Sequence, residues 1–432
     1  MSATYSDTQI MMTLAAFAAT GATPRPSGET PAAQQARITA GITAQLGNTA
    51  LATGGAWTLT WVGLTQSGAN LAYIAQGQDN GGGSVYALVL RGTVGGSPID
   101  TAEDMHVGII LPFLDGAAGN ISQGAMEAFT DIVMGTELMS QLQSCSPGTL
   151  YVVGHSLGGA MVTTVSLYLA QQVAAGTLKI GSILPYTFAA PTAGDQTFAN
   201  SFNDVFSNAV CVINKFDLVP TAWATLKTLP VHYTSKPFYP GPGSNPPGPG
   251  PTADPVNSVG ILISNVAKGV GPNCYIQPAQ QPPLNAGSLP LFMTPYPSGA
   301  TTPVEQFEVQ VGFQHANNTY LTLLDAPTLP ALAPVVASVS PAGGSVSGGT
   351  QVTITAPEGM SFSSDCVVDF GIVAAAPPSF APGGASMTVT SPAGVGTVDI
   401  RVTNMFGTSP AVPTYPNLTP YDYSDQFTFA AS

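Results

Sequence analysis

A serine nucleophile is the first chemistry that the sequence suggests. Residues 154–158 read GHSLG, a G-x-S-x-G pattern that places Ser156 between an apolar segment, Thr149–Val153, and a segment with helical periodicity, Met161–Val173. Because glycine is frequent here, chance alone supplies about 0.4 such patterns in a chain of this length, so the strand-turn-helix context is the informative part. The two glycines permit a sharp turn that projects the hydroxyl at the edge of a sheet. The backbone N–H of Leu157, at the helix start, then faces a developing oxyanion.

A serine hydroxyl needs a base within hydrogen-bond reach before it can act as a nucleophile. The chain has four histidines. His106 precedes the serine, and we expect the neighbouring His155 to point away from it. The strand-turn-helix context resembles that of the α/β-hydrolases, whose chain order of nucleophile, acid, histidine permits both His232 and His315. We prefer His315 because it stands at the entrance to a predicted helix, whereas His232 lies in a strand-like segment where structural histidines are commoner.

The third group must be a carboxylate that lies between the serine and the histidine and follows a strand. The candidates are Asp195, Asp204, Asp217 and Asp254. Asp217 is preferred because it directly follows the apolar run AVCVINKF. Its expected role is to fix the tautomer of the imidazole and to stabilise the imidazolium, without taking the proton itself.

Composition and charge restrict the class of protein and its partners. The 432 residues allow two or three domains at about 100 to 200 residues each, and 44% hydrophobic residues supply a core. The 48 glycines and 39 prolines favour turns and short strands, which excludes a coiled coil. Nine Lys and Arg residues against 23 Asp and Glu residues give a net charge of −14, so we expect no nucleic-acid partner. The four cysteines lack metal-ligand spacing, so we expect no metal and no cofactor.

The sequence contains no predicted transmembrane segment, because no stretch approaches the roughly 18 uncharged apolar residues that span a bilayer. The apolar run from Ile10 to Ala19 follows Asp7 and no Lys or Arg, which predicts a first helix rather than a signal peptide. The compartment is left open by these features, with secretion or an extracellular location among the options.

The first three quarters of the chain alternate between strand-like and helix-like segments. The predicted strands, rich in β-branched and aromatic residues or continuously apolar, are Trp57–Thr65, Leu71–Gln76, Ser84–Leu90, Thr149–Val153, Gly181–Ala190 and Ala209–Lys215. Helical spacing predicts one helix over Gln123–Leu142 and another over Met161–Val173. This alternation predicts an α/β domain with a mostly parallel sheet.

The remainder of the chain has a different pattern. Pro237–Pro255 is too rich in Pro and Gly for regular structure and reads as an insertion, and Ala326–Pro334 reads as an extended linker. Short alternating strands follow at Gln351–Thr355, Cys366–Phe370, Ser386–Thr390, Gly396–Thr403 and Gln426–Phe429. Their spacing predicts a small all-β sandwich as a second domain.

The candidate residues fall within segments that resemble a known family. These are Leu90–Thr93 (LRGT), Gly154–Gly159 (GHSLGG), Ala189–Pro191 (AAP), Asn214–Pro220 (NKFDLVP) and His315 with Tyr320 five residues later. In this order they resemble the class 3 lipases, the fungal-lipase-like α/β-hydrolases. The resemblance implies an α/β-hydrolase domain over residues 1–328. It also implies that Thr93, through its backbone N–H and hydroxyl, and Leu157 form the oxyanion hole.

The sequence departs from that family in two places. The stretch from Asp217 to His315 is lengthened by the Pro/Gly-rich insertion, and the segment after Thr93 lacks a tryptophan common in the family. The resemblance implies a lid in that segment. Its apolar part, Val107–Phe113, is either a lid or a helix packed into the core.

A second resemblance covers the C-terminal residues. It rests on Ser338–Pro341, Gly348–Ile354, Val368–Gly371, Thr390–Pro392, Val402–Asn404 and Gly407–Ser409. These segments resemble an IPT/TIG domain, which implies an immunoglobulin-like sandwich over residues 334–432. Such a module implies self-association or surface binding, and no titratable cluster in it suggests chemistry.

We therefore predict a serine carboxylic-ester hydrolase, a lipase or carboxylesterase that acts on acylglycerols or other carboxyl esters through an acyl-enzyme. Ser156 attacks the carbonyl, His315 transfers the proton, Asp217 orients His315, and Thr93 and Leu157 hold the oxyanion. One alternative is a catalytically silent adhesion or binding protein that keeps the hydrolase fold. Another is the same chemistry on phospholipid or polyester substrates.

Overall fold

A computed structural model describes residues 5–21, 25–78, 83–92, 106–224, 258–279, 281–284, 302–409 and 425–430. Thr93, His232, Asp254 and the predicted insertion Pro237–Pro255 lie outside the described residues. The chain divides into two compact units. The larger contains most of the residues up to Leu329, and the smaller contains the residues from Pro330 onward together with Thr20–Ile42. The domain boundaries at 328 and 334 stay a prediction.

The helices lie mainly in the larger unit. They are α1 (Asp7–Phe17), α2 (Pro31–Leu46), α3 (Gln123–Gly135), α4 (Leu138–Cys145), α5 (Leu157–Ala174), α6 (Gln196–Val205), α7 (Ser258–Gly269), α8 (Pro303–His315) and α9 (Asn317–Leu323). Residues of α2 up to Ile42 belong to the smaller unit. In the described parts of the chain, no helix is both long enough and apolar enough to cross a membrane.

The sheet of the larger unit is mixed. Its strands are β1 (Thr58–Leu64), β2 (Leu71–Gln78), β3 (Ser84–Leu90), β6 (Thr149–His155), β7 (Ser182–Phe188) and β8 (Val210–Val212), in the spatial order β1-β2-β3-β6-β7-β8. The pairs among β1, β2 and β3 are antiparallel, and those among β3, β6, β7 and β8 are parallel. The predicted α/β fold is confirmed, with the parallel pairing confined to the half from β3 to β8.

The parallel half explains where a site can form. Strand β6 is buried along its length except at its two ends, as its apolar sequence predicts. The register aligns Leu90 with Gly154, and His155 with Phe188 and then Val212. Because these residues lie at or beside the carboxyl ends of parallel strands, the loops that follow them meet at one edge of the sheet.

Two predicted elements differ from the structure. The helix over Gln123–Leu142 is broken into α3 and α4, because Thr136 between them is extended and its hydroxyl bonds back to the carbonyl of Ile132. The segment Val107–Phe113 is not a helix. It contains β4 (Ile110–Pro112), which pairs with β5 (Asn120–Ser122) in a hairpin, and Phe113 is buried.

The smaller unit is built mainly from strands. They are β9 (Ser338–Ser340), β10 (Gly343–Ser345), β11 (Gln351–Thr355), β12 (Val367–Phe370), β13 (Val373–Ala374), β14 (Ser379–Phe380), β15 (Ser386–Thr390), β16 (Gly396–Asn404), β17 (Gly407–Thr408) and β18 (Gln426–Ala430). One sheet has the order β10-β18-β16-β12-β13 with β17 beside β16, and the other has the order β14-β15-β11-β9. Side chains from both sheets form one apolar core. The immunoglobulin-like assignment stays a prediction.

Candidate active site

Ser156 stands on a sharp turn between β6 and α5. Its backbone has φ 59° and ψ −132°, a conformation that a non-glycine residue rarely adopts and that is found at functional turns. A side chain at Gly154 would overlap the backbone of Gly158, and one at Gly158 would overlap the carbonyl of Leu90. The backbone N–H of Ser156 donates to the carbonyl of Phe188 at 2.9 Å. The turn is therefore held against both neighbouring strands.

The structure brings Ser156, His315 and Asp217 together in one hydrogen-bonded chain. His315 Nε2 lies 2.8 Å from Ser156 Oγ, and His315 Nδ1 lies 2.9 Å from Asp217 Oδ2. All three side chains are buried, with 8%, 7% and 1% of Ser156, His315 and Asp217 exposed. This is the geometry in which an imidazole can take a proton from a hydroxyl while a carboxylate orients it.

His315 is the last residue of α8 and also stands just before α9, the helix entrance at which the sequence placed it. The helix α8 itself was not predicted. A signal for it exists, because Thr302 and Glu305 form a capping box and Pro303 occupies the first helical position. The short helix α9 begins two residues after His315.

Asp217 follows β8, and three donors surround its carboxylate. Oδ1 accepts the backbone N–H of Val219 at 3.0 Å. Oδ2 accepts the hydroxyl of Tyr320 at 2.8 Å in addition to its contact with His315. Burial, and then the charge of Asp217, raise the pKa of Tyr320 well above its usual value, so the phenol stays protonated and keeps donating. The sequence placed Tyr320 in a motif with His315 but predicted no role for it.

His155 packs against the candidate base rather than lying in an unrelated environment. Its ring centroid is 4.8 Å from that of His315, and it meets the ring of Tyr320 edge-on at 5.6 Å. Burial lowers the pKa of His155 well below its usual value, and the nearby His315 adds to the shift. Nε2 of His155 is buried and has no hydrogen-bond partner in the described part of the chain. His155 is therefore a neutral neighbour of the His315 imidazole.

The oxyanion side of the site is described in part. Leu157 is the first residue of α5, so its N–H is one of the unpaired donors at the positive end of a helix. Gly92 lies against this turn, since a Cβ there would be 3.0 Å from the carbonyl oxygen of His155 and 3.6 Å from the nitrogen of Leu157. The next residue, Thr93, lies outside the described residues.

The other described candidates lie elsewhere. Asp195 caps α6 by accepting the backbone N–H of Phe198 at 2.9 Å, and Asp204 is exposed on the same helix. His106 is at the surface, 3.7 Å from Glu127. In the described ranges, no group of three or more His, Cys, Asp or Glu side chains could hold a metal ion.

Comparisons with known proteins agree with this description. Residues 87–226 match the family model for lipase (class 3). The crystal structure of M37 lipase matches with a TM-score of 0.58 at 21% identity, over 74% of this chain and 93% of that one. At this identity the likeness establishes a lipase-like α/β fold. A search among curated proteins found no match.

Fungal lipases match more loosely. Native Rhizomucor miehei lipase in complex with its propeptide has a TM-score of 0.34 at 20% identity, over 50% of this chain and 62% of that one. A triacylglycerol lipase from Penicillium expansum has a TM-score of 0.34 at 17% identity, over 51% and 75%. Scores this low add nothing about the fold. The family match and the lipase-like fold together support a hydrolase of the lipase type.

Proposed function

We propose that the protein is a serine carboxylic-ester hydrolase, a lipase or carboxylesterase that works through an acyl-enzyme. The observation that carries the proposal is the buried chain of hydrogen bonds from Ser156 Oγ through His315 to Asp217, with heavy-atom distances of 2.8 and 2.9 Å. Such a chain makes a serine hydroxyl nucleophilic, because the imidazole can remove its proton as it attacks. The match of residues 87–226 to lipase (class 3) supports the same chemistry.

In the proposed reaction, Ser156 Oγ attacks the ester carbonyl carbon while His315 Nε2 takes the hydroxyl proton. The oxygen of the tetrahedral intermediate accepts hydrogen bonds from the N–H of Leu157 and, as the family resemblance implies, from Thr93. His315 then gives its proton to the leaving alkoxide, which departs as the alcohol. Water attacks the acyl-enzyme, His315 takes a proton from that water and returns one to Ser156, and the carboxylic acid leaves. Asp217 stays ionised throughout and holds Nδ1.

An acylglycerol or another neutral ester is the proposed substrate. The lipase (class 3) match favours a lipid ester. A net charge of −14 suits a neutral substrate whose product is an anion, because the field of the protein then favours release of the carboxylate. Rates are compared on dissolved and emulsified esters of the same acyl length. A lipase is expected to hydrolyse the emulsified ester faster than the dissolved one, whereas a carboxylesterase is not. Rates on phospholipid and polyester substrates, measured in the same way, test the alternative substrate classes.

Substitution of the proposed nucleophile tests the reaction. Ser156→Ala is expected to lower turnover of a short nitrophenyl ester by about 10⁶-fold. Ser166→Ala is a matched control, because Ser166 is a fully buried serine in α5 whose hydroxyl has no partner in the described structure. Turnover that survives in Ser156→Ala would refute the proposal. An inactive wild-type protein would favour the alternative of a binding protein that keeps the hydrolase fold.

We also propose a two-domain organisation, with residues 1–328 as the hydrolase domain and residues 334–432 as an IPT/TIG-like sandwich for self-association or surface binding. The support is compositional and architectural. Two sheets of the smaller unit share one apolar core. A segment near the N-terminus also belongs to this unit. In that segment, the backbone N–H of Ser27 donates to Asp369 Oδ2 and its hydroxyl donates to the carbonyl of Ile372. Limited proteolysis followed by mass spectrometry of the stable fragments tests the boundary.

A further inference from the structure

Asn214 lies where the loop of the candidate acid meets the helices that carry the candidate base. It comes two residues after β8 and is 1% exposed. On the acid side, its backbone carbonyl accepts the N–H of Asp217 at 3.0 Å, and its side-chain Oδ1 accepts the N–H of Phe216 at 3.2 Å. These two bonds close the turn that presents the Asp217 carboxylate.

The backbone N–H and the side-chain NH₂ of Asn214 donate to residues of α8 and α9. Side-chain Nδ2 donates to the backbone carbonyl of Gln314 at 3.1 Å and to its side-chain Oε1 at 2.8 Å. Gln314 directly precedes His315 in α8. The backbone N–H of Asn214 donates to the hydroxyl oxygen of Tyr320 at 2.9 Å. Because that oxygen accepts from Asn214, its own hydrogen is directed to Asp217 Oδ2.

A primary amide suits this position because it presents an acceptor and two donors at opposite sides of one planar group. An aspartate could accept from Phe216 but could not donate to Gln314. An apolar side chain would lose the bond from the N–H of Phe216 and both bonds to Gln314, and lost hydrogen bonds are costly in a buried site. Asparagine is therefore the residue type expected where a side chain joins two segments by hydrogen bonds, and not where it only packs in the core.

We propose that Asn214 is a positioning residue, which fixes the carboxylate of Asp217 and the imidazole of His315 relative to each other. The inference rests on the proposed function. The acid and the base are 98 residues apart in the chain but must stay within hydrogen-bond distance. None of the hydrogen bonds of Asn214 in the described structure goes to Ser156. Asn214 acts through the turn before Asp217 and through the end of α8, and a displacement of about 1 Å in such a pair costs on the order of 10²-fold in rate.

The test compares Asn214→Ala with Asn318→Ala. Asn318 is the matched control, because its side chain also bridges backbone groups, donating to the carbonyl of Leu329 at 3.0 Å and accepting its N–H at 2.8 Å. For Asn214→Ala, kcat on a dissolved nitrophenyl ester is expected to fall by about 10²-fold with KM nearly unchanged. The far-downfield proton NMR signal of the His315–Asp217 hydrogen bond should also weaken or vanish. Asn318→Ala should keep both kcat and that signal, even if its Tm falls as much.

A second variant covers the case in which Asn214→Ala does not fold. Asn214→Asp keeps the shape and the acceptor for Phe216 but loses both donors to Gln314, and it is expected to show the same loss of kcat and of the NMR signal. If either folded variant behaves like Asn318→Ala, the inference is wrong. The NMR signal reports the His315–Asp217 bond even in a protein without esterase activity, so failure of the proposed function and failure of this inference give different results.

Discussion

The imidazole of His155 lies 4.8 Å from the imidazole of His315, with the two ring planes tilted by 40°. Both rings belong to residues beside the candidate nucleophile, one before it in the chain and one hydrogen-bonded to it. A second positive charge so close to His315 would oppose the imidazolium that the proposed reaction forms. Burial keeps His155 neutral and so removes this conflict.

The neutral state of His155 predicts a specific acid sensitivity. In the unfolded chain its imidazole gains a proton below about pH 6.5, whereas in the folded protein its pKa lies well below that value. The unfolded state therefore binds more protons, and stability falls as the pH drops through 6.5. This residue contributes at most about 1.4 kcal/mol of lost unfolding free energy for each pH unit. Urea unfolding at pH 7.5, 6.5 and 5.5 measures how the unfolding free energy changes with pH.

Two variants isolate that contribution. His155→Gln is neutral at every pH, so its unfolding free energy should depend less steeply on pH than that of the wild type. His106→Gln is the control, because the side chain of His106 is 56% exposed at the surface. Equal slopes for the wild type and His155→Gln would contradict a buried neutral imidazole.

The hydroxyl of Tyr320 is expected to contribute to rate as well as to stability. Tyr320→Phe removes one donor from Asp217 Oδ2 and leaves the buried N–H of Asn214 without its acceptor. We expect kcat to fall by about 10-fold and the unfolding free energy to fall by about 1–3 kcal/mol. The measurements are ester kinetics and urea unfolding of the same preparations.

Tyr73→Phe provides the comparison for Tyr320→Phe. Tyr73 is also fully buried, and its hydroxyl donates to the carbonyl of Leu14 at 2.6 Å. Its loss should lower stability without lowering kcat. A Tyr320→Phe enzyme with wild-type kcat would show that the third donor to Asp217 has no part in catalysis.

Gly92 predicts a steric effect on the turn of the nucleophile. A Cβ at this position would lie 3.0 Å from the carbonyl oxygen of His155 and 3.1 Å from Cβ of Ser156, tighter than ordinary packing allows. Overpacking of this kind costs about 1–3 kcal/mol, so Gly92→Ala should reduce kcat/KM by about 10-fold or more. Gly135→Ala, where a Cβ meets nothing within 4 Å, should leave activity unchanged. Full activity in Gly92→Ala would mean that the turn can relax without cost.

Local patterns accounted for the strand and the helix that flank Ser156, but not for α8, which carries His315. Strand β3 begins and ends where its composition predicts, and the apolar run before Ser156 is the buried strand β6. The residue types and their order were sufficient to single out Ser156, Asp217 and His315, because few carboxylates and histidines follow the serine. Their catalytic roles stay part of the proposal.

Long-range relationships were beyond the reach of local patterns. The contact between His155 and His315 depends on how α8 approaches the sheet, and the linkage of Asn214 to Gln314 joins segments 100 residues apart. The grouping of Thr20–Ile42 with the smaller unit is of the same kind. The hydrophobic periodicity of a segment predicts its secondary structure, but not the distant residues against which it packs.

The site of covalent labelling tests the central claim most directly. The wild-type protein should react with a fluorophosphonate, and mass spectrometry of its peptides should locate the adduct on Ser156. His315→Ala should lose the reaction, because the hydroxyl then lacks its base, while Ser166→Ala should keep it. An adduct on another residue, or no adduct on a folded wild-type protein, would contradict an activated serine at position 156.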